Sequence, residues 1–295
     1  QRDPGGDVGA SIELPDELKR ADLASIIIAN SRRVEESLRV VEELSKLPEV
    51  ELDSSRFKEA RFALYEIEKT LVGRLIRHDK STRIRGLYVI IDPQAIKGHD
   101  EGEVASQAIR GGAGVIQLRD KGHTRGEILQ IAKMLKRVCD ERGALFIVND
   151  YPDIALASDA DGVHLGQSDM PVPEARRILP IDKIIGYSTA TLGEALGAEA
   201  DGADYIAVGS IYPTTSKEGA RPAGLGTLLQ VRNRVSLPIV AIGGIDEGNV
   251  HEVVRAGADS VALISAISRG DVEGTVRRLV ERIDEETERT ARSYR

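Results

Sequence analysis

From residue 85 onward, short apolar runs rich in β-branched residues alternate with segments of helical periodicity. The runs fall at 87–91, 115–119, 145–149, 162–165, 184–188, 205–209, 239–243 and 260–264. Most are too uniformly apolar for a strand with one wet face, which points to strands buried on both sides. Helical patterns lie between them, for example at 127–142, 174–179, 249–256 and 272–286. Eight such units in about 200 residues make a closed parallel (β/α)8 barrel. An open doubly wound sheet is the competing arrangement. It would favour a Gly-rich dinucleotide turn after the first run, and Ile91-Asp92-Pro93-Gln94 is not one.

The chain ahead of that array reads differently. Residues 1–15 are Gly/Pro-rich and polar, a leader with little to fold around. Residues 16–84 are expected to form a helical hairpin. Asp16 or Asp22 can cap a first helix running toward Lys46, with Ile27, Val34, Leu38 and Val41 on its apolar stripe and Pro48 ending it. A second helix, from Ser54 to His78, carries Phe57, Phe62, Leu64, Ile67, Leu71 and Leu75. Lys80-Ser81-Thr82-Arg83 reads as a linker. Residues 85–295 are the barrel, with a charged tail at 285–295 expected to fray. The hairpin's stripes must be covered by each other, by the barrel's outside or by a second subunit, so a homo-oligomer is one expectation.

Charge and cysteine usage narrow the function. The net charge is −8 and no long basic run occurs, which argues against nucleic acid or an anionic membrane as partner. Small molecules are the expected partners, because an acidic protein can still hold a basic pocket. Cys139 is the single cysteine, set among Lys133, Met134, Leu135 and Val138 on a helical pattern, where it reads as a buried structural thiol. No apolar run approaches the ~20 residues of a membrane span. The cytoplasm is the expected compartment.

In a barrel of this kind the chemistry sits at the C-terminal ends of the strands. The second run ends Gln117-Leu118-Arg119-Asp120-Lys121. Alternation puts Gln117, Arg119 and Lys121 on one face and Leu118 and Asp120 on the other. Two cations beside an amide suit a diphosphate and its organic group. The third run ends Asn149-Asp150, and the fourth is followed by Gly166-Gln167-Ser168-Asp169. Asp150 and Asp169, at neighbouring strand ends beside cations, make a Mg²⁺ site plausible. Asp169 also reads as a helix cap before Pro171. His164 reads as a hydrogen-bonded barrel histidine more readily than as a base. The fifth run ends at Ser188. The sixth leads into Thr214-Thr215-Ser216-Lys217, hydroxyls and an ammonium able to hold a phosphate. Gly243-Gly244 after the seventh run and Ile264-Ser265 after the eighth suit the phosphate site common there. No Cys/His or Ser/His/Asp set for nucleophilic catalysis is evident, and no zinc spacing.

In this order the motifs resemble thiamine phosphate synthases, over roughly residues 85–280. The resemblance implies an enzyme, a transferase that joins hydroxymethylpyrimidine diphosphate to a thiazole phosphate, with release of pyrophosphate. It assigns Gln117, Leu118, Arg119, Asp120, Lys121, Asn149 and Lys217 to the pyrimidine diphosphate, and Asp150 and Asp169 to Mg²⁺. Ser188 falls near the reacting groups, and Thr214, Thr215, Ser216, Gly244, Ile264 and Ser265 fall to the thiazole phosphate. Ser216 stands where the family often has Thr, which keeps the hydroxyl. The implied reaction is dissociative: Mg²⁺, Arg119, Lys121 and Lys217 stabilise the leaving pyrophosphate, a pyrimidine carbocation forms, and the thiazole nitrogen attacks it. A thiazole tautomerase of the same fold and a non-catalytic phosphate-ligand sensor are the alternatives. The stretch from Asn30 to Glu43 resembles a helical domain fused ahead of some of these synthases and linked to phosphorylation of hydroxymethylpyrimidine phosphate.

Overall fold

The computed structural model describes residues 22–96, 98–214, 222–264 and 270–293. It divides into two compact units between Ile76 and Arg77.

In the first unit, helix α1 (Leu23–Leu44) starts where Asp22 accepts a hydrogen bond from the Ser25 N–H at 2.7 Å. The alternative cap, Asp16, lies outside the described residues. Helix α2 (Ser54–Ser81) starts after Asp53, whose carboxylate accepts from the Ser55 N–H at 2.9 Å. Arg61 of α2 reaches the buried Glu42 of α1 at 3.3 Å. Burial of the apolar stripes is incomplete: Val34, Phe62, Ile67 and Leu71 remain exposed.

The expected linker is helical instead at Lys80 and Ser81, because the end of α2, from Arg77 on, belongs to the second unit and has partners within it. Arg77 donates to Asp204 at 3.1 Å and to the Ile181 carbonyl at 2.6 Å. Lys80 donates to both the backbone and the carboxylate of Asp182 at 3.0 Å.

The second unit is built on eight parallel strands, β1 (Gly86–Ile91), β2 (Val115–Leu118), β3 (Leu145–Asn149), β4 (Gly162–Leu165), β5 (Ile184–Thr189), β6 (Tyr205–Gly209), β7 (Ile239–Ile242) and β8 (Ser260–Leu263), which close in chain order. Closure is direct: Tyr88 of β1 lies beside Val115 of β2 and Ala262 of β8. Strand alternation splits the side chains into two cores. Tyr88, Ile90, Val115, Leu145, Ile147, Ile184, Tyr205 and Val240 fill the barrel's interior. Leu87, Val89, Ile116, Phe146, Val163, Ile206 and Val261 face the helices. This is why the runs are apolar at consecutive positions. The interior has room for the Tyr205 ring because β5 carries Gly186, where a Cβ would sit 2.0 Å from the Tyr205 Cζ.

The helices α3 (Pro93–Ile96), α4 (Glu101–Arg110), α5 (Arg125–Arg142), α6 (Pro152–Ala157), α7 (Val172–Ile178), α8 (Leu192–Ala200), α9 (Gly224–Arg232), α10 (Val250–Arg255) and α11 (Val272–Ser293) follow the strands in turn. Cys139 is wholly buried on α5, and burial pushes its thiol up to about 12, which suits a structural role. The tail expected to fray is helical to Ser293. Glu286, 7% exposed, anchors it by accepting from Arg255 at 3.0 Å, a contact between elements that the charge run alone does not reveal.

Candidate active site

A cavity of about 460 Å³ opens at the C-terminal ends of the strands. Strand length determines what reaches it. β2 stops at Leu118, so Arg119 and Lys121 extend past the ladder from the face that Gln117 occupies inside the barrel. Leu118 and Asp120 take the opposite phase and do not line the cavity. Leu118 is 1% exposed and packs between barrel and helices. The Asp120 carboxylate accepts from the N–H groups of Gly122 and His123 at 3.0 Å and pairs with the His123 ring at 2.8 Å. Their assignment to the substrate, carried over with the whole motif, therefore finds no side-chain support. Asp120 instead shapes the loop that presents Lys121. Burial pushes its carboxyl up, but the N–H groups of His123 and Gly122 and the His123 ring outweigh this and hold it below the usual value. The loop ends in a capping box, in which Thr124 and Glu127 satisfy each other's backbone at the start of α5.

Gln117, Arg119, Lys121, Asn149, Asp150, Asp169, Ser188, Thr214, Gly244 and Ile264 all line this one cavity. Thr215, Ser216, Lys217 and Ser265 lie outside the described residues. Arg119 donates to Asp92 at 2.5 Å, and Lys121 is ion-paired with Asp150. Asp150 has the left-handed φ of 64°, uncommon for a residue with a side chain. Asp169 is no helix cap: α7 begins after Pro171 without a side-chain cap, and Asp169 accepts instead from the Gly166 N–H at 2.7 Å. Burial, then a hydrogen bond with the Asp150 carboxyl, push the Asp169 carboxyl up, against the pull of Gly166.

The opposite wall holds Gly243-Gly244 after β7. Gly244 has φ +65°, and a Cβ there would lie 2.6 Å from the Pro213 carbonyl oxygen, so only glycine lets these two loops meet. The cavity floor is a polar chain inside the barrel. Asn149 accepts from Gln117 at 3.0 Å, and Gln117 accepts from Tyr88 at 2.6 Å. Tyr88 and Tyr205 meet at 3.1 Å, Tyr205 and His164 at 3.1 Å, and His164 and Ser188 at 2.9 Å. His164 is thus a hydrogen-bonded barrel residue, as read from its run. Sequence reasoning missed Asp92, Tyr88 and Tyr205. The available signals were an acid directly after the first strand and two phenols on the interior phase.

A closed parallel barrel whose C-terminal mouth gathers cations, carboxylates and amides is an enzyme of the (β/α)8 class. Residues 87–267 match the family model described as thiamine monophosphate synthase, and residues 1–70 match the ThiD2 family. A thiamine-phosphate synthase of a Nostoc species is 40% identical over 270 residues, covering 92% of this chain and 75% of that protein. One from Methanocella arvoryzae is 51% identical over 195 residues, covering 65% of this chain and 92% of its own length. Among solved structures, thiamine phosphate pyrophosphorylase from Pyrococcus furiosus superposes with a TM-score of 0.65 at 41% identity, covering 70% of this chain and 98% of that one. The chain belongs to the thiamine monophosphate synthase family, with a ThiD2-like segment ahead of the barrel.

Proposed function

We propose that the barrel joins hydroxymethylpyrimidine diphosphate to a thiazole phosphate, giving thiamine phosphate and pyrophosphate. The observation that carries this reading is the charge pattern of one mouth. Arg119 and Lys121 stand beside Asp150 and Asp169, and the Gly243-Gly244 turn borders the same cavity. Membership of the family supports it.

In this reading Gln117, Arg119, Lys121, Asn149 and Lys217 hold the pyrimidine diphosphate. Thr214, Thr215, Ser216, Gly244, Ile264 and Ser265 hold the thiazole phosphate. Gln117 and Ser188 orient the pyrimidine over the polar floor. The C–O bond to the diphosphate breaks with its electron pair leaving on oxygen. Arg119, Lys121 and Lys217 oppose the charge that develops there. The thiazole nitrogen then supplies the electron pair of the new C–N bond to the pyrimidine carbocation, with no net oxidation or reduction.

Asp150 and Asp169 fit Mg²⁺. They are two hard oxygen donors on the wall of one cavity, and the Asp150 carboxyl helps to push that of Asp169 up, an arrangement unfavourable to two free carboxylates and relieved by a divalent cation. Bound there, Mg²⁺ would supply further neutralisation of diphosphate charge. Among the described residues none of 22–84 lines this cavity, and in this reading residues 16–84 act as a separate element. The likeness to the ThiD2 family supports a second role there, in phosphorylating hydroxymethylpyrimidine phosphate. The test is to mix the purified chain with both substrates and Mg²⁺ and to quantify thiamine phosphate. Absence of product would overturn the reading.

A further inference from the structure

The polar floor has a direction, which follows from counting protons. The Gln117 side-chain oxygen can only accept, so Tyr88 donates to it across 2.6 Å. The other end of the same amide donates to the Asn149 side-chain oxygen at 3.0 Å, in keeping with that orientation. A phenol has one proton. With that of Tyr88 committed to Gln117, Tyr205 must be the donor in the 3.1 Å contact between the two hydroxyls. With the proton of Tyr205 committed in turn, the donor in its 3.1 Å contact with His164 must be Nδ1–H. A neutral imidazole protonated at Nδ1 accepts at Nε2, so Ser188 donates to it across 2.9 Å.

We propose that Tyr88, Tyr205 and His164 form a one-way relay that holds His164 as the Nδ1–H tautomer and thereby sets the Ser188 hydroxyl, with its oxygen left as an acceptor toward the cavity. His164 and Tyr205 are positioning residues, and the proposal rests on the reading that Ser188 meets the pyrimidine. Three further observations support the relay. Tyr88 and Tyr205 are 1% and 0% exposed, so water does not compete for their protons. Burial pushes both phenols up, which keeps them protonated throughout the working range. The rings are held in place: Tyr205 lies 5.6 Å from His164 and 6.3 Å from Tyr88 between centroids, in the space that Gly186 leaves open.

The relay makes a prediction that packing alone does not. Tyr88 has no hydrogen bond to His164, yet Tyr88→Phe should invert the His164 tautomer. Losing its acceptor, Tyr205 would turn its proton onto His164 Nδ1, leaving Nε2 as the N–H. Tyr205→Phe should instead leave a mixture of both forms.

The test is 15N NMR of the five histidines in the ligand-free chain, with the His164 signals assigned by their loss in His164→Gln. The expected results are Nδ1–H in the wild type, Nε2–H in Tyr88→Phe, and both forms in Tyr205→Phe. In turnover, both phenol variants should lower kcat about tenfold, as loss of one oriented hydrogen bond does, with KM for the thiazole phosphate unchanged. A wild-type His164 that is Nε2–H or doubly protonated would overturn the relay, as would an unchanged tautomer in a folded Tyr88→Phe protein. The wild-type tautomer decides the matter even if the variants do not fold or the chain makes no thiamine phosphate, so failure of the relay and failure of the proposed activity are separate results.

Discussion

Lys121, beyond the end of β2, is ion-paired with Asp150, beyond the end of β3. The pair joins a cation assigned to the diphosphate with a carboxylate assigned to the metal. On the proposed reading each neutralises the other before ligands arrive and changes partner when they do. The Lys121 side chain is 47% exposed and that of Asp150 10%, so the lysine is the partner free to swing away. Asp150→Ala and Asp169→Ala should therefore each lower turnover by about 10²–10³-fold, the scale of one lost electrostatic contact to a developing charge. Melting temperature should change little. Full turnover in the double variant would sink the metal assignment.

On the proposed reading Lys217 shares the diphosphate with Lys121. On the dissociative reading it acts on the leaving pyrophosphate, so Lys217→Ala should lower kcat about 10²-fold, leaving KM for the thiazole phosphate unchanged. Steady-state kinetics with each substrate varied in turn separates the cases. A rise confined to that KM would put Lys217 in the other pocket.

The end of α2 bears on where the catalytic unit begins. A chain starting at Ile84 lacks Arg77 and Lys80, and Asp204 and Asp182 then lose partners at 3.1 and 3.0 Å. A chain starting at Leu71 keeps both. Both should retain condensation activity, with the shorter one less stable by about 1–3 kcal/mol in urea denaturation. A well-folded but inactive shorter chain would mean that the helices contribute to the site.

Much of this architecture was legible in sequence because burial on both faces writes strands as uninterrupted apolar runs. The extents at 145–149, 162–165 and 205–209 coincide with β3, β4 and β5's neighbour β6 for that reason. The phase of Gln117, Arg119 and Lys121 was legible too, since it depends only on alternation. The same phase argument turned Leu118 and Asp120 away from the cavity, against a motif carried over whole. What could not be read were pairings across the fold: Arg119 with Asp92, Tyr88 with Tyr205, and Arg77 with Asp204. Each joins residues whose separation in the chain carries no local signal.

The clasp between His123 and Asp120 predicts a pH dependence. The hydrogen bond that the His123 ring donates to Asp120, reinforced by the carboxylate's charge, holds the ring above its ordinary 6.5. A raised histidine pKa contributes stability that is complete below the unfolded value and is lost as pH rises through the folded one. Asp120, held below its ordinary 3.8, contributes in the opposite sense and loses its share as pH falls through its folded value. The clasp is thus strongest between about pH 4 and about pH 6.5. The stability advantage of the wild type over His123→Gln should shrink as pH rises from about 6.5 through the raised His123 pKa in thermal melts. A constant difference over that range would show that the ion pair contributes nothing.

The central claim is that one cavity accepts two phosphorylated substrates and joins them. The direct measurement is the stoichiometry of products when the purified chain receives hydroxymethylpyrimidine diphosphate, a thiazole phosphate and Mg²⁺, together and singly. Equal amounts of thiamine phosphate and pyrophosphate, formed only when both substrates are present, are the predicted result. Isomerisation of the thiazole phosphate alone, or binding of both ligands without release of pyrophosphate, would contradict it.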